Sequence, residues 1–216
     1  MNRLLAFYYG SNPDDRGRML AEILRQDDTW LEISHDYIQW LFPLSEMSRV
    51  NRDAPLVDAA TAQAFRNDEL LRGHLLAAYL RMLSFFGLQR LPDGRVVKSA
   101  AWDERKRDWF TRDSHNSLRI TRILKSLSLL GLADDAVAFQ RALAGLCVSE
   151  SDCDINATSQ GFWREAVSVR EPSETERAGS CSSTPLRQTS CRLPFHADDP
   201  RRSDPTCKRI NIHQSS

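Results

Sequence analysis

Between Asp68 and Gly87 the chain specifies a long amphipathic helix, and that helix dictates what must surround it. Asp68 can cap the first turn, and Gly87 supplies the left-handed residue that ends the last. Leu71, Leu75, Ala78, Tyr79, Met82 and Phe86 recur at three- and four-residue spacing, so one side is apolar along its whole length. Such a stripe must be covered, and the neighbouring segments also carry helical periods.

Asn12, Pro13, Asp14 and Asp15 read as a helix start: a cap, a residue preset to helical φ, then acids at the positive end of the dipole. Met19, Leu20, Ile23 and Leu24 supply its buried stripe. A second helix, in one or two pieces, is expected from Thr29 to Phe42, where Pro43 stops it. Within it Tyr37, Ile38, Leu41 and Phe42 keep helical spacing, while His35, Asp36 and Gln39 turn partly aside. Asp58 caps a short helix through Phe65. Leu91 to Gly94 is a turn, Arg95 to Lys98 a short extended piece, and Trp102 to Phe110 a helix. Asp113 or Ser114 opens the next helix, ending at Gly131, and Asp134 starts the last, Ala136 to Leu146. No alternation supports a sheet. The expected fold is all-α: a single compact domain of about six to seven helices over residues 1–146.

Composition changes near Gly145. Of the 18 aromatic Phe, Trp and Tyr residues, only Phe162, Trp163 and Phe195 lie beyond it. Residues 147–216 are rich in Ser, Thr, Pro and Arg without a sustained apolar period, so they are expected to form a disordered tail. GFWREAV, 161–167, is expected to form at most one short helical turn. All five cysteines, 147, 153, 181, 191 and 207, fall in this part. Their odd number and the lack of a CxxC pair argue against a disulfide framework and a zinc site. The start MNRLLAFYYG lacks the pattern of a secretory leader, and no apolar run approaches the length of a membrane helix. The expected setting is reducing and intracellular, which leaves the sequon Asn156-Ala157-Thr158 idle.

The 29 basic and 29 acidic residues cancel, but not evenly along the chain. Asp14 to Asp58 carries five net negative charges and Arg95 to Lys125 five net positive ones. Arg119, Arg122 and Lys125 are spaced three apart on one expected helix. Either they form a basic surface for an acidic ligand, or they pair with the acidic early helices inside the domain. Internal pairing is the commoner use of such runs. The domain is not basic overall and has no nucleic-acid motif, so nucleic acid is not the expected partner.

Catalytic chemistry finds little support. His35-Asp36, His74 and His115-Asn116 contain the domain's histidines, and none sits in an HxxxH or HExxH arrangement. Capping or packing explains His35-Asp36 better than a metal-dependent helical hydrolase does. There is no Gly-x-Ser-x-Gly elbow, no cysteine before 147 and no glycine-rich phosphate loop. No enzyme, metal or cofactor is expected.

Three blocks are distinctive: FYYGSNPDDRGR (7–18), HDYIQWLFPL (35–44) and HNSLRITRILKSLSLLGL (115–132). Together, in this order, they resemble the conserved domain of the opioid growth factor receptor family from about Phe7 to Leu143. The resemblance implies a mainly helical fold, binding of an enkephalin-type peptide, residence in the nucleus or at the nuclear envelope without a transmembrane segment, and restraint of proliferation. A peptide groove needs apolar pockets, an acid for the amine and a base for the carboxylate. Asp36 could meet the amine and Arg119 or Arg122 the carboxylate, between Tyr37, Trp40 and Trp109. Core filling is the commoner role of aromatic residues at helical spacing and is the alternative for the same tryptophans. Two classes stay open: a peptide-binding, receptor-like signalling protein, and a helical interaction or scaffold module that meets an acidic protein partner through Arg119, Arg122 and Lys125.

Overall fold

A computed structural model describes residues 2–48, 51–112 and 114–167. The chain begins with helix α1 (Arg3–Tyr8), where no helix was expected. The Asn2 side chain caps it by accepting from the Leu4 N–H, and Leu4, Phe7 and Tyr8 are buried. Tyr8 meets Phe65 edge to face at 4.7 Å, and Phe7 meets Trp40 at 5.1 Å.

The expected helix start at Asn12 to Asp15 is a loop instead. The buried Asp14 carboxylate accepts from the backbone N–H groups of Arg16 and Arg18 at 2.8 and 2.9 Å, and from the Arg18 side chain at 2.8 Å. A short acidic side chain that bonds its own neighbouring backbone competes with the helix, and Gly17, at φ +77°, has left helical space. Only α2 (Leu20–Leu24) follows.

The expected Thr29–Phe42 helix forms in two pieces, α3 (Asp28–Ile33) and α4 (Ile38–Leu41), broken at Ser34 to Tyr37 and closed before Pro43. Then come α5 (Ala59–Asn67), capped by Asp58, and α6 (Glu69–Phe85), capped by Asp68. Gly87 turns out of α6 at φ +74°, and a Cβ there would lie 2.9 Å from the Trp102 backbone, so both the conformation and the close approach require glycine.

A small hairpin corrects the reading that no strands pair. Strands β1 (Leu88–Arg90) and β2 (Val96–Lys98) run antiparallel, with Gln89 opposite Val97, around the Leu91–Gly94 turn. Three-residue strands are too short for alternation to register in sequence. Next lie α7 (Trp102–Trp109), α8 (Asn116–Leu129) and α9 (Ala133–Ser149). Where Asp113 or Ser114 was expected to cap α8, the Ser114 hydroxyl accepts from the Asn116 N–H; Asp113 lies outside the described residues.

Past the expected boundary at 146 the chain keeps packing. Helix α10 (Ala157–Ala166) lies on α8 and α9, with Asn156 as its cap and Trp163 buried. The Trp163 indole donates to the Ser117 carbonyl at 3.2 Å, and the Ser128 hydroxyl donates to Ala166. The expected single turn at 161–167 is thus a ten-residue helix. One indole can anchor a segment that composition makes look unstructured, because it removes so much apolar surface from water. The expectation of disorder from 168 to 216 lies outside the described residues. Those described form one compact unit of ten helices and one hairpin, more helices than the six or seven expected.

Candidate functional site

The break between α3 and α4 is where the three distinctive blocks meet. From the first block, Arg16 and Arg18 pair with the two oxygens of Asp36 at 3.0 and 2.9 Å, and Asp15 accepts from the Trp40 indole at 3.2 Å. Burial pushes the Asp36 carboxyl up, but Arg18 and then Arg16 outweigh it and hold it below the usual value.

From the third block, α8 supplies the other side. Arg119, only 5% exposed, donates to the carbonyls of Ser34 at 2.7 Å and Glu32 at 3.2 Å. It also donates to Asn116 at 3.1 Å and to the His35 ring at 3.0 Å. A guanidinium has no acceptor, so His35 Nδ1 must present its lone pair. His115 stands edge-on to His35, centroids 5.0 Å apart, and its Nε2 lies 3.3 Å from Glu32. Burial, Arg119 and His35 together hold the His115 ring below its ordinary pKa against the opposing pull of Glu32. Farther along α8, Arg122 donates to the Phe42 carbonyl and Ser126 to the Pro43 carbonyl, each at 3.0 Å. The carbonyls of the α4 C-cap and of the proline after it are thereby satisfied.

The structure separates the six residues expected to line a peptide groove. Tyr37, Trp40 and Trp109 are buried. Tyr37 donates to Leu31 and lies under the Arg119 guanidinium; Trp40 packs on Phe7. Trp109 belongs to another cluster, with Phe86, Trp102 and Phe110, and donates to the Phe86 carbonyl. Asp36 faces Arg16 and Arg18. Arg119 is engaged internally. Of the six, Arg122 alone combines partial exposure with no ion pair among the described residues. The internal pairing weighed from sequence holds for Arg119 with Glu32, Arg105 with Asp28, and Lys125 with Glu46. Gln39, expected to turn partly aside, is buried; its amide, oriented to satisfy its neighbours, donates to the carbonyls of His35 and Asp36. His74 donates to the Tyr8 carbonyl. Among the described residues no three His, Cys, Asp or Glu side chains are placed to hold a metal.

Two depressions flank His35. The larger, about 810 Å³, is lined by Asp15, Arg16, Arg18, Trp30 and Asp36. The smaller, about 460 Å³, lies between α8 and the chain from Ile38 to Ser48. Its lining includes the apolar side chains of Ile38, Leu44, Met47 and Leu118 together with Glu46, Arg122 and Lys125. Leu118 and Met47 are 71% and 65% exposed; Ile33 and Val148 are at least as exposed elsewhere, and what sets this pair apart is that both line one depression. The sequence reading missed both. The signal was present for Leu118: it lies off the Ile120, Ile123, Leu124 and Leu127 stripe, and shares a face with Thr121, Arg122 and Lys125 at i, i+3, i+4 and i+7.

This chain is similar to the mouse opioid growth factor receptor, 45% identical over 105 residues, which are 47% of the chain and 16% of that receptor. The human receptor is 44% identical over 105 residues, 47% of the chain and 15% of the receptor. The opioid growth factor receptor-like protein 1 of Xenopus tropicalis is 34% identical over 151 residues, 68% of the chain and 28% of that protein. The chain thus spans less than a third of the length of these curated relatives, which are named as receptors rather than enzymes. No solved structure matches it. The model of the opioid growth factor receptor (OGFr) conserved region matches residues 4–170, running through α10 and past the boundary expected from composition, and the chain belongs to that family.

Proposed function

We propose that the chain is a peptide-binding, receptor-like signalling module whose ligand lies in the smaller groove, between α8 and residues 38–48. The observation that carries this reading is the pairing of an exposed apolar lining, Met47 and Leu118, with Arg122, a half-buried cation that has no ion pair among the described residues. Apolar pockets with a few fixed polar groups are the usual form of a small-ligand site, and about 460 Å³ suits two or three side chains. Membership of a family whose members are named for an opioid growth factor makes an enkephalin-type peptide the first ligand to test. Growth restraint and a nuclear or perinuclear, at most peripherally membrane-associated, setting belong to the same proposal. Among the described residues no helix is long and apolar enough to cross a membrane.

The site proposed from sequence changes in composition. Arg122 stays, Arg119 positions the α3–α4 break, Tyr37 and Trp40 pack in the core beside that break, and Trp109 belongs to a separate aromatic cluster. Asp36 borders the other depression. No catalytic role is proposed. Cys147 is half-buried, and burial with the neighbouring Cys153 pushes its thiol up to about 12, which leaves little thiolate to act as a nucleophile. The second reading, a scaffold for an acidic partner, loses Arg119 to internal bonds and retains Arg122 and Lys125. Calorimetry with an enkephalin pentapeptide on the full chain and on Leu118→Asp tests the proposal. Saturable heat that the substitution abolishes supports it; absence of heat at millimolar peptide, with a protein partner captured instead, favours the scaffold.

A further inference from the structure

The groove's chemistry narrows the kind of peptide it can hold, an inference that rests on the peptide-binding reading above. We infer that the groove recognises the free carboxyl end of a peptide with an apolar last residue, the carboxylate pairing with Arg122 and the side chain lying on Ile38, Leu44, Met47 and Leu118.

Arg122 donates to the Phe42 carbonyl at 3.0 Å and has no carboxylate at ion-pair distance among the described residues. Its neighbours on the helix are all engaged: Arg119 with Glu32, Lys125 with Glu46 at 3.3 Å. Burial draws the Arg122 guanidinium below its ordinary value, opposed by Glu46, so a further anion would restore what burial removes. A planar guanidinium suits a carboxylate, which can accept two of its N–H groups.

The spacing then selects a chain end. Leu118 and Arg122 are one turn apart on α8, so apolar lining and cation lie within the reach of a single residue. In an extended peptide an internal acid and its apolar neighbours point to opposite faces. A C-terminal residue carries its carboxylate and its side chain on the same Cα and meets both demands at once. The Lys125–Glu46 pair beside them is largely exposed and so contributes little to stability. An incoming carboxylate can therefore draw Lys125 away from Glu46 and gain a second cation.

The test uses the full chain and N-acetylated tetrapeptides ending in Leu, Met or Phe, each as free acid and as C-terminal amide. A further amide peptide carries an internal glutamate. Binding is read by calorimetry, and the fold of each variant by circular dichroism. The free acids are expected to bind at least about tenfold more tightly than the amides, a margin of the size a charge-assisted pair supplies. Arg122→Gln should erase that margin while keeping weak, equal binding of both forms. Glu46→Gln, which removes the competing carboxylate, should tighten the acids by about threefold, a gain that a misfolded variant cannot imitate. Equal binding of acid and amide by the unaltered chain overturns the carboxylate inference and leaves the peptide groove standing. Preference for the internal-glutamate amide overturns the chain-end assignment. Failure of every peptide, enkephalin included, removes the peptide-binding reading itself.

Discussion

The two depressions beside His35 share a wall and differ in almost everything else. The larger, about 810 Å³, has its cations matched: Asp36 holds Arg16 and Arg18, Asp14 holds Arg18 from behind, and Asp53 adds a further acid to the lining. The smaller, about 460 Å³, is lined by several apolar side chains and by Arg122, which has no ion pair among the described residues although Glu46 lines the same depression. An anionic ligand entering the first must displace Asp36 from Arg16 or Arg18, exchanging one ion pair for another in water, for little net gain. A ligand entering the second buries exposed Leu118 and Met47 and supplies a missing charge. Size alone would have ranked them the other way. What matters is the unsatisfied chemistry each offers.

Four measurements would break or sharpen that contrast. The largest effect is expected at Trp163, which supports α8 beneath the groove: Trp163→Ala should lower unfolding free energy by about 4 kcal/mol, read by urea denaturation. A loss below about 1 kcal/mol, the size of an ordinary surface change, would mean that α10 does not hold the groove's wall. Arg119 and Arg122 come next, one turn apart with opposite roles. Arg119→Ala should cost about 3 kcal/mol, because it strips a buried charge network, whereas Arg122→Ala should cost about 1 kcal/mol as a single hydrogen bond. Equal losses would dissolve the distinction between an internal and an available arginine. In the larger depression, Asp36→Asn should cost about 1 kcal/mol or less, as expected for partly exposed pairs, and should leave peptide binding unchanged. If it abolished binding, the choice of depression would be reversed.

The smallest effect is a dependence on pH that separates the two sides. The His115 ring is held below its ordinary value near 6.5 by burial, Arg119 and His35, so folding favours its neutral form. Its contribution is complete above that value and declines as pH falls below it toward the lowered value. Asp36 is a carboxyl held low by Arg18 and Arg16, so its contribution is present above the ordinary value of 3.8 and is lost only as pH falls further. Melting temperature should therefore dip between pH 7 and pH 5, and His115→Gln should flatten that dip without altering the loss at lower pH. A dip of equal depth in His115→Gln would assign it elsewhere.

Much of the helical layout was legible. Asp58, Asp68, Gly87 and Gly131 stand where sequence logic puts caps and stops, because a cap acts on its own backbone within a few residues. Pro43 likewise closes α4. The misread segments are those where a local signal met a distant partner. Asn12 to Asp15 carries a helix-start pattern, yet Asp14 turns to Arg18 and the nearby amides. Residues 161–167 promise only a short turn within a stretch that has no sustained apolar period, yet Trp163 finds Ser117, 46 positions earlier. At the site, Arg122, expected in a peptide groove, lines the smaller depression, and the pairing of the acidic and basic segments was weighed as the commoner alternative. Tyr37, Trp40 and Trp109 could be core or anchor by composition, and all three are buried.

The sequence by itself determined that this chain is helical, where the helices from α5 to α8 begin and end, and which family it resembles, since caps, stops and apolar periods act over one or two turns. Tertiary structure alone decided which arginine of α8 turns inward and which stays partly exposed without an ion pair among the described residues. Arg119 and Arg122 are the same residue type on the same helix. Their difference comes from carbonyls contributed by Ser34, Glu32 and Phe42, some eighty positions away, which no local pattern can place.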